Sequence, residues 1–185
     1  MLNKGGEGRI YPLRDNPEVL VKIYLPSILA QPRSSETRSK VEAMCQMKEM
    51  RTARAFGWPR LPVFDQAGKW QGYAMRRMAG VQMQTLCQPQ LIHERIPGWT
   101  RRELIRCAAS FVNLIAAAHR QGIILGDINP ANFLIDPATC EVRAIDCDSY
   151  QVRTAGRTYC CPVGIAMLLA PELLDADLAK TPRMI

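Results

Sequence analysis

The densest chemistry in the chain lies in the run from Gly122 to Asp136, which reads G-I-I-L-G-D-I-N-P-A-N-F-L-I-D. It offers a carboxylate, Asp127, and a carboxamide, Asn132, five residues apart in what reads as a loop between a helix and a strand. Asp127 can accept the proton of a hydroxyl nucleophile, and Asn132 can ligate a hard cation through its side-chain oxygen. A turn whose Asp and Asn satisfy local backbone groups would use the same residues. A second cluster, Ala144-Ile145-Asp146-Cys147-Asp148-Ser149, ends a strand on two carboxylates. Mg2+ is commonly held by one or two carboxylates plus substrate phosphates, and a solvated strand end is the plainer alternative. Gly5, Gly6 and Gly8 lie ahead of a strand-like run. Without Cβ atoms, such residues let backbone N–H groups approach phosphate oxygens, although a hairpin turn also favours glycine. Lys22 stands inside the apolar run Val19–Tyr24. There its ammonium is costly unless it meets an anion or snorkels from an edge strand.

These residues need elements to hold them. Arg9–Leu13 and Val19–Tyr24 read as strands around the turn signal Arg14-Asp15-Asn16-Pro17, the second stopped by Pro26. Residues 35–55 read as one helix, capped by Ser34 or Ser35, with Val41, Met44, Cys45 and Lys48 on one face. Leu61–Phe64 and Trp70–Met75 predict a hairpin around Ala67-Gly68, and Gly80 then breaks the chain. Thr100, with Glu103 three residues later, predicts a capping box opening a helix that runs to about His119 and stops at Gly122. Phe133–Ile135 and Val142–Ile145 read as short strands.

Composition bounds the answer. The chain has 185 residues, 48% hydrophobic and 22% charged, an ordinary globular balance that excludes a disordered chain. The formal net charge of +7 suits an anionic ligand. The most apolar stretches, Phe111–Ala118 and Val163–Ala170, are too short to span a bilayer. Seven scattered cysteines without a C-x-x-C, and only His93 and His119, argue against a zinc site and a disulfide framework, so a reduced cytoplasmic protein is expected.

The ordered set of glycine loop, strand Lys22, G-D-I-N-P-A-N-F-L, I-D-C-D and Ala170-Pro171-Glu172 resembles the protein kinase superfamily. G-G-E-G-x-I-Y, G-D-x-N-P-x-N and D-C-D-S-Y are similar to a bacterial group of kinase-like domains that often carry helix-hairpin-helix modules downstream. The resemblance implies an α+β, protein kinase-like two-lobe fold, with a small β-rich N-lobe over 1–80 and an incomplete helical C-lobe over 81–185. It implies ATP and Mg2+ as cofactors. Lys22 would hold the α/β-phosphates over the loop of Gly5, Gly6 and Gly8, and Met75 to Met78, with Arg76 and Met78, would read the adenine edge through backbone groups. Asp127 matches the catalytic base, and Asn132 and Asp146 match the metal ligands, with Asp148 as a further ligand or a stiffener of the loop. Lys22 would pair with a helix carboxylate, Glu42 first and Glu36 second.

The chain departs from the family pattern in several places. Asn3 replaces the first glycine of the loop, and Met1-Leu2 is all that precedes it. Gly126 stands where Arg normally precedes the base, which removes the usual link to a phosphorylated activation loop. Asn129 replaces a Lys two residues after the base, and Asp148 replaces a glycine. The chain ends at Ile185 without the helices that complete the large lobe and without the Arg that pairs with Glu172. A fragment of a longer protein, or a degenerate copy, is expected, together with self-association through an exposed C-lobe surface.

The leading functional expectation is an ATP- and Mg2+-dependent phosphotransferase acting on Ser or Thr hydroxyls of a protein. The alternatives are a weak or inactive nucleotide-binding pseudokinase and a small-molecule kinase. Dispersed Arg and Lys without a stacking motif argue against a nucleic-acid-binding domain.

Overall fold

The computed structural model describes residues 3, 4, 6–154 and 156–184. It is an α+β chain whose two compact units divide at Arg77/Met78, except that Arg54–Phe56 belong to the second.

In the first unit a five-stranded sheet runs in the order β1-β2-β3-β5-β4, all neighbours antiparallel. Its strands are β1 (Asn3–Lys4), β2 (Gly8–Leu13), β3 (Asn16–Tyr24), β4 (Pro59–Phe64) and β5 (Trp70–Arg76). The β4–β5 hairpin turns where Asp65 Oδ1 accepts from the backbone N–H groups of Ala67 and Lys69, both at 2.9 Å. Gly68, at φ 76°, adopts there a conformation that side chains disfavour. A short helix, α1 (Pro26–Leu29), follows β3. The helix expected over 35–55 is two helices, α2 (Ser34–Gln46) and α3 (Lys48–Thr52). Met47 breaks the run in an extended conformation. The buried Trp58 indole donates to the Met44 carbonyl at 2.9 Å, satisfying an acceptor that continued helix would have used. Val41, Met44 and Cys45 are buried as the spacing predicted, while Lys48 lies past the break and is exposed. Val41 and Cys45 join Tyr24, Trp70, Tyr73 and Met75 in one core, packing α2 against the sheet.

The second unit is built around α5 (Arg101–His119). Its capping box is present: Arg102 N–H donates to Thr100 Oγ1 at 3.2 Å, and Glu103 Oε2 accepts from Thr100 N–H at 2.9 Å. Gly122, at φ 69°, turns the chain out of the helix. A shorter helix, α4 (Pro89–Arg95), precedes it. Two small antiparallel sheets follow. One orders β6 (Val81–Gln82), β8 (Phe133–Ile135) and β9 (Val142–Ala144), and the other β11 (Arg157–Tyr159), β10 (Gln151–Thr154) and β7 (Ile123–Ile124). The Phe111 ring of α5 meets Phe133 of β8 edge-on at 4.9 Å, and Ser110 Oγ accepts from Val142 N–H at 2.9 Å. The helix thereby fixes both strands of the β8–β9 pair. Its other side carries Ile105 and Val112, exposed at 70% and 64%. Among the described residues no helix is long and apolar enough to cross a membrane.

Candidate functional site

The site residues read from the sequence fall in both units. In the first, Lys22 is 4% exposed on β3, with its ammonium 5.3 Å from the centre of the Tyr24 ring and 5.9 Å from that of Tyr73. Two aromatic faces thus flank the buried cation. Gly8 pairs with Tyr24 across the β2–β3 ladder and lies against the lysine stem. A Cβ at Gly8 would stand 3.4 Å from Lys22 Cε and only 2.8 Å from the Ile23 carbonyl oxygen. Gly8 and Lys22 are therefore neighbours. At Gly6 an added Cβ would meet nothing within 4 Å, and Gly5 lies outside the described residues. Arg76 is exposed at the end of β5, opposite Val19. Met78 is half-buried at the start of the second unit.

Glu42, the first choice as partner for Lys22, is engaged elsewhere. Arg38 Nε donates to its Oε1 at 2.8 Å, one helical turn away on the solvent side of α2. Glu36, the second choice, lies in the first turn of the same helix. Sequence reasoning also missed Lys40, which is buried on α2. The signal was available, because Lys40 precedes the buried Met44 by four residues and shares its face.

In the second unit the loop from Leu125 to Asn132 hangs between β7 and β8, one strand from each small sheet. Asn129 Oδ1 accepts from Ala131 N–H at 3.0 Å, and Pro130 opens a single 3-10 turn ending at Asn132. That turn brings Asn132 back onto Asp127, where Asn132 Nδ2 donates to Asp127 Oδ2 at 2.9 Å. The carboxylate and carboxamide singled out by type and spacing are in direct contact. The Asn132 carbonyl accepts from Ile145 N–H at 2.8 Å, which ties the loop to the residue before Asp146.

Asp146 adopts a left-handed conformation, φ 58° and ψ 41°. It is one of two non-glycine residues with positive φ among those described. Such backbone is costly outside glycine, least so for Asp and Asn, and recurs where function requires it. Asp146 is half-buried, and its carbonyl accepts from Ser149 Oγ at 3.1 Å. Asp148 is buried within the 3-10 turn Cys147–Ser149. Tyr150 follows, fully buried. Burial pushes its phenol well above the usual range, and the Cys147, Asp146 and Asp127 groups push it further.

Gly126, the residue before Asp127, is buried beneath Cys161 and Arg183, whose side chains a Cβ there would overlap. Glu172 is exposed on a separate 3-10 turn, Pro171–Leu173.

No family model matches the chain. Among curated proteins it is similar to "Protein kinase YegI" of Escherichia coli O157:H7 and of Escherichia coli strain K12. Each is 25% identical over 174 residues, covering 93% of this chain and 26% of the relative. The chain spans about a quarter of the length of the curated relatives it matches. The similarity supports a kinase-like relationship.

Proposed function

We propose that the chain is an ATP- and Mg2+-dependent phosphotransferase acting on Ser or Thr hydroxyls of a protein, on a kinase-like two-lobe fold whose N-lobe is the first unit and C-lobe the second. The observation that carries this reading is the 2.9 Å hydrogen bond between Asn132 Nδ2 and Asp127 Oδ2, joined to the Asp146 strand end through Ile145. A base candidate and two oxygen ligands thus belong to one hydrogen-bonded loop pair. Similarity to relatives named as protein kinases supports the reaction class.

The donor set fits Mg2+. With Asn132 Nδ2 committed to Asp127, its Oδ1 would be the atom offered to a hard cation, with the Asp146 carboxylate as the second protein ligand. No three His, Cys, Asp or Glu side chains gather as a metal group among the described residues. The protein's share of the shell is therefore small, as Mg2+ usually has it, with waters and phosphates supplying the rest. When bound, Mg2+ would neutralise charge on the β- and γ-phosphates. Asp148, buried in its turn, suits the stiffening role of its two expected roles.

Lys22 would hold the α/β-phosphates beneath the backbone of Gly5, Gly6 and Gly8, and the backbone from Arg76 to Met78 would meet the adenine edge. The substrate hydroxyl oxygen attacks the γ-phosphorus, and its proton passes to the Asp127 carboxylate. The bond from the γ-phosphorus to the bridging oxygen breaks, and ADP leaves. Asn132 holds Asp127 in place by the bond it donates.

One observation favours the second reading, a weak or inactive nucleotide-binding module. Asn129, which stands where the family has Lys, uses its side chain to cap the 3-10 turn and brings no positive charge to the transferring phosphate. A small-molecule kinase would share the set Asp127, Asn132 and Asp146. The test is transfer of label from γ-labelled ATP to a generic Ser/Thr protein and to the chain itself, with and without a chelator. Chelator-sensitive transfer supports the enzyme. Mg-ATP binding without transfer leaves the module, and transfer to small hydroxyl compounds alone leaves the third reading.

A further inference from the structure

We infer that Arg183 is a positioning residue for the Asp127 loop, clamping the segment after β11 onto Gly126; this rests on the phosphotransferase reading above. The backbone of Arg183 is fixed first. Its N–H donates to Gln151 Oε1 at 2.8 Å, and its carbonyl accepts from Gln151 Nε2 at 2.9 Å. Gln151 is itself a buried amide on β10, facing Ile124 of β7 across the ladder. β7 leads directly into Gly126 and Asp127. Arg183 is thus anchored to the strand pair that launches the loop.

The side chain then reaches two further segments. Arg183 Nη2 donates to the Val163 carbonyl at 2.8 Å, and that same oxygen accepts from Cys161 Sγ at 3.1 Å. Arg183 Nη1 and the Cys161 side chain both rest on the bare Cα of Gly126, where a Cβ would displace them. Close packing on glycine makes the contact intolerant of movement. The Arg183 Nε is buried without a hydrogen-bond partner among the described residues. A cation held there at that cost implies that its position matters more than its solvation. The clamp's acceptor is the Val163 backbone carbonyl, so the clamp forms without any phosphorylated side chain, and residues 161–164 carry no hydroxyl that could be phosphorylated. The Arg183 contacts run to Gln151, the Val163 carbonyl and Gly126, so its effect on Asp127 is exerted through the backbone before it. It sets where Asp127 stands.

Hydrogen exchange and steady-state kinetics on the chain, compared among wild type, Arg183→Gln and Arg183→Lys, test the clamp. Arg183→Gln is expected to lose amide protection in residues 161–164 and 124–127. It should also lower kcat by up to about 100-fold, the cost of roughly 1 Å of misplacement, with KM for ATP unchanged. Arg183→Lys keeps a cationic donor for the Val163 carbonyl and should recover most of both. Gly126→Ala should reproduce the Arg183→Gln exchange pattern, and phosphatase treatment of wild type should leave that pattern unchanged. Wild-type exchange in Arg183→Gln, equal damage from Lys and Gln, or lost protection after phosphatase would overturn the inference. If wild type transfers no phosphoryl group, the functional reading falls, and the exchange data alone still decide the clamp.

Discussion

Gly72→Ala isolates the support beneath Lys22. Gly72 lies on β5 opposite Ile23, and a Cβ added there would stand 1.9 Å from the Lys22 carbonyl oxygen, where contacts under 3.0 Å essentially do not occur. β5 must therefore separate from β3 by about 1.1 Å at this point. A backbone hydrogen bond of about 2.9 Å stretched that far leaves the bonding range. Two ladder bonds at about 1 kcal/mol each, plus loosened packing around Tyr73, give a loss on the order of 3 kcal/mol. Lys22 shifts with its strand, so nucleotide affinity should fall too. Gly68→Ala is the control: it pays about 1–2 kcal/mol for a left-handed alanine but meets nothing within 4 Å. Urea unfolding followed by fluorescence, with ATP titration of each variant, measures both effects. The reasoning is refuted if Gly72→Ala loses no more stability than Gly68→Ala and binds ATP like wild type.

Three further outcomes are expected. Lys22→Met should weaken Mg-ATP binding by about 10-fold or more, the worth of a charge-assisted contact, whereas Lys48→Met, on an exposed side chain, should not; equal losses in a calorimetric titration would mean that bulk charge holds the nucleotide. Burial pushes the Cys45 and Cys107 thiols from 9.0 up to about 11, so the folded chain holds protons that the unfolded chain releases between those values. Stability should be full below about pH 9 and fall as pH rises toward 11, and a Cys45→Ala/Cys107→Ala double variant should flatten that slope in denaturant melts. Ile105 and Val112, two turns apart on α5 and largely exposed, should drive concentration-dependent self-association; sedimentation should find this reduced in Ile105→Glu/Val112→Glu, and a wild-type monomer at every concentration would refute it.

Local signals were legible in the sequence. Thr100 and Glu103 marked the start of α5, Gly122 its end, and Ala67-Gly68 the β4–β5 turn, because caps and turns are fixed by residues a few positions apart. Asp127 and Asn132 stood out by type and spacing, but the hydrogen bond between them came only from the 3-10 turn that folds Asn132 back. The break in α2 was not, since it depends on an indole arriving from Trp58 to take the Met44 carbonyl. Nor was the packing on Gly126, whose partners Cys161 and Arg183 come from far along the chain. Glycine at 126 read as a lost charge, whereas in the fold it is a gap that another arginine fills. Tyr150 gave no periodic signal because it lies in a connection, yet it is fully buried.

The central claim is that Asp127 takes the proton of a hydroxyl nucleophile while Asp146 serves the metal. The most direct measurement is the split between kcat for phosphoryl transfer and Kd for Mg-ATP in Asp127→Asn, with Asp146→Asn beside it. Asp127→Asn should lower kcat by about 10²–10⁴-fold, the usual worth of a positioned base, and leave the Mg-ATP Kd nearly unchanged. Asp146→Asn should weaken Mg-ATP binding itself. Transfer that persists at the wild-type rate in Asp127→Asn, or Mg-ATP binding indifferent to Asp146→Asn, would contradict the assignment.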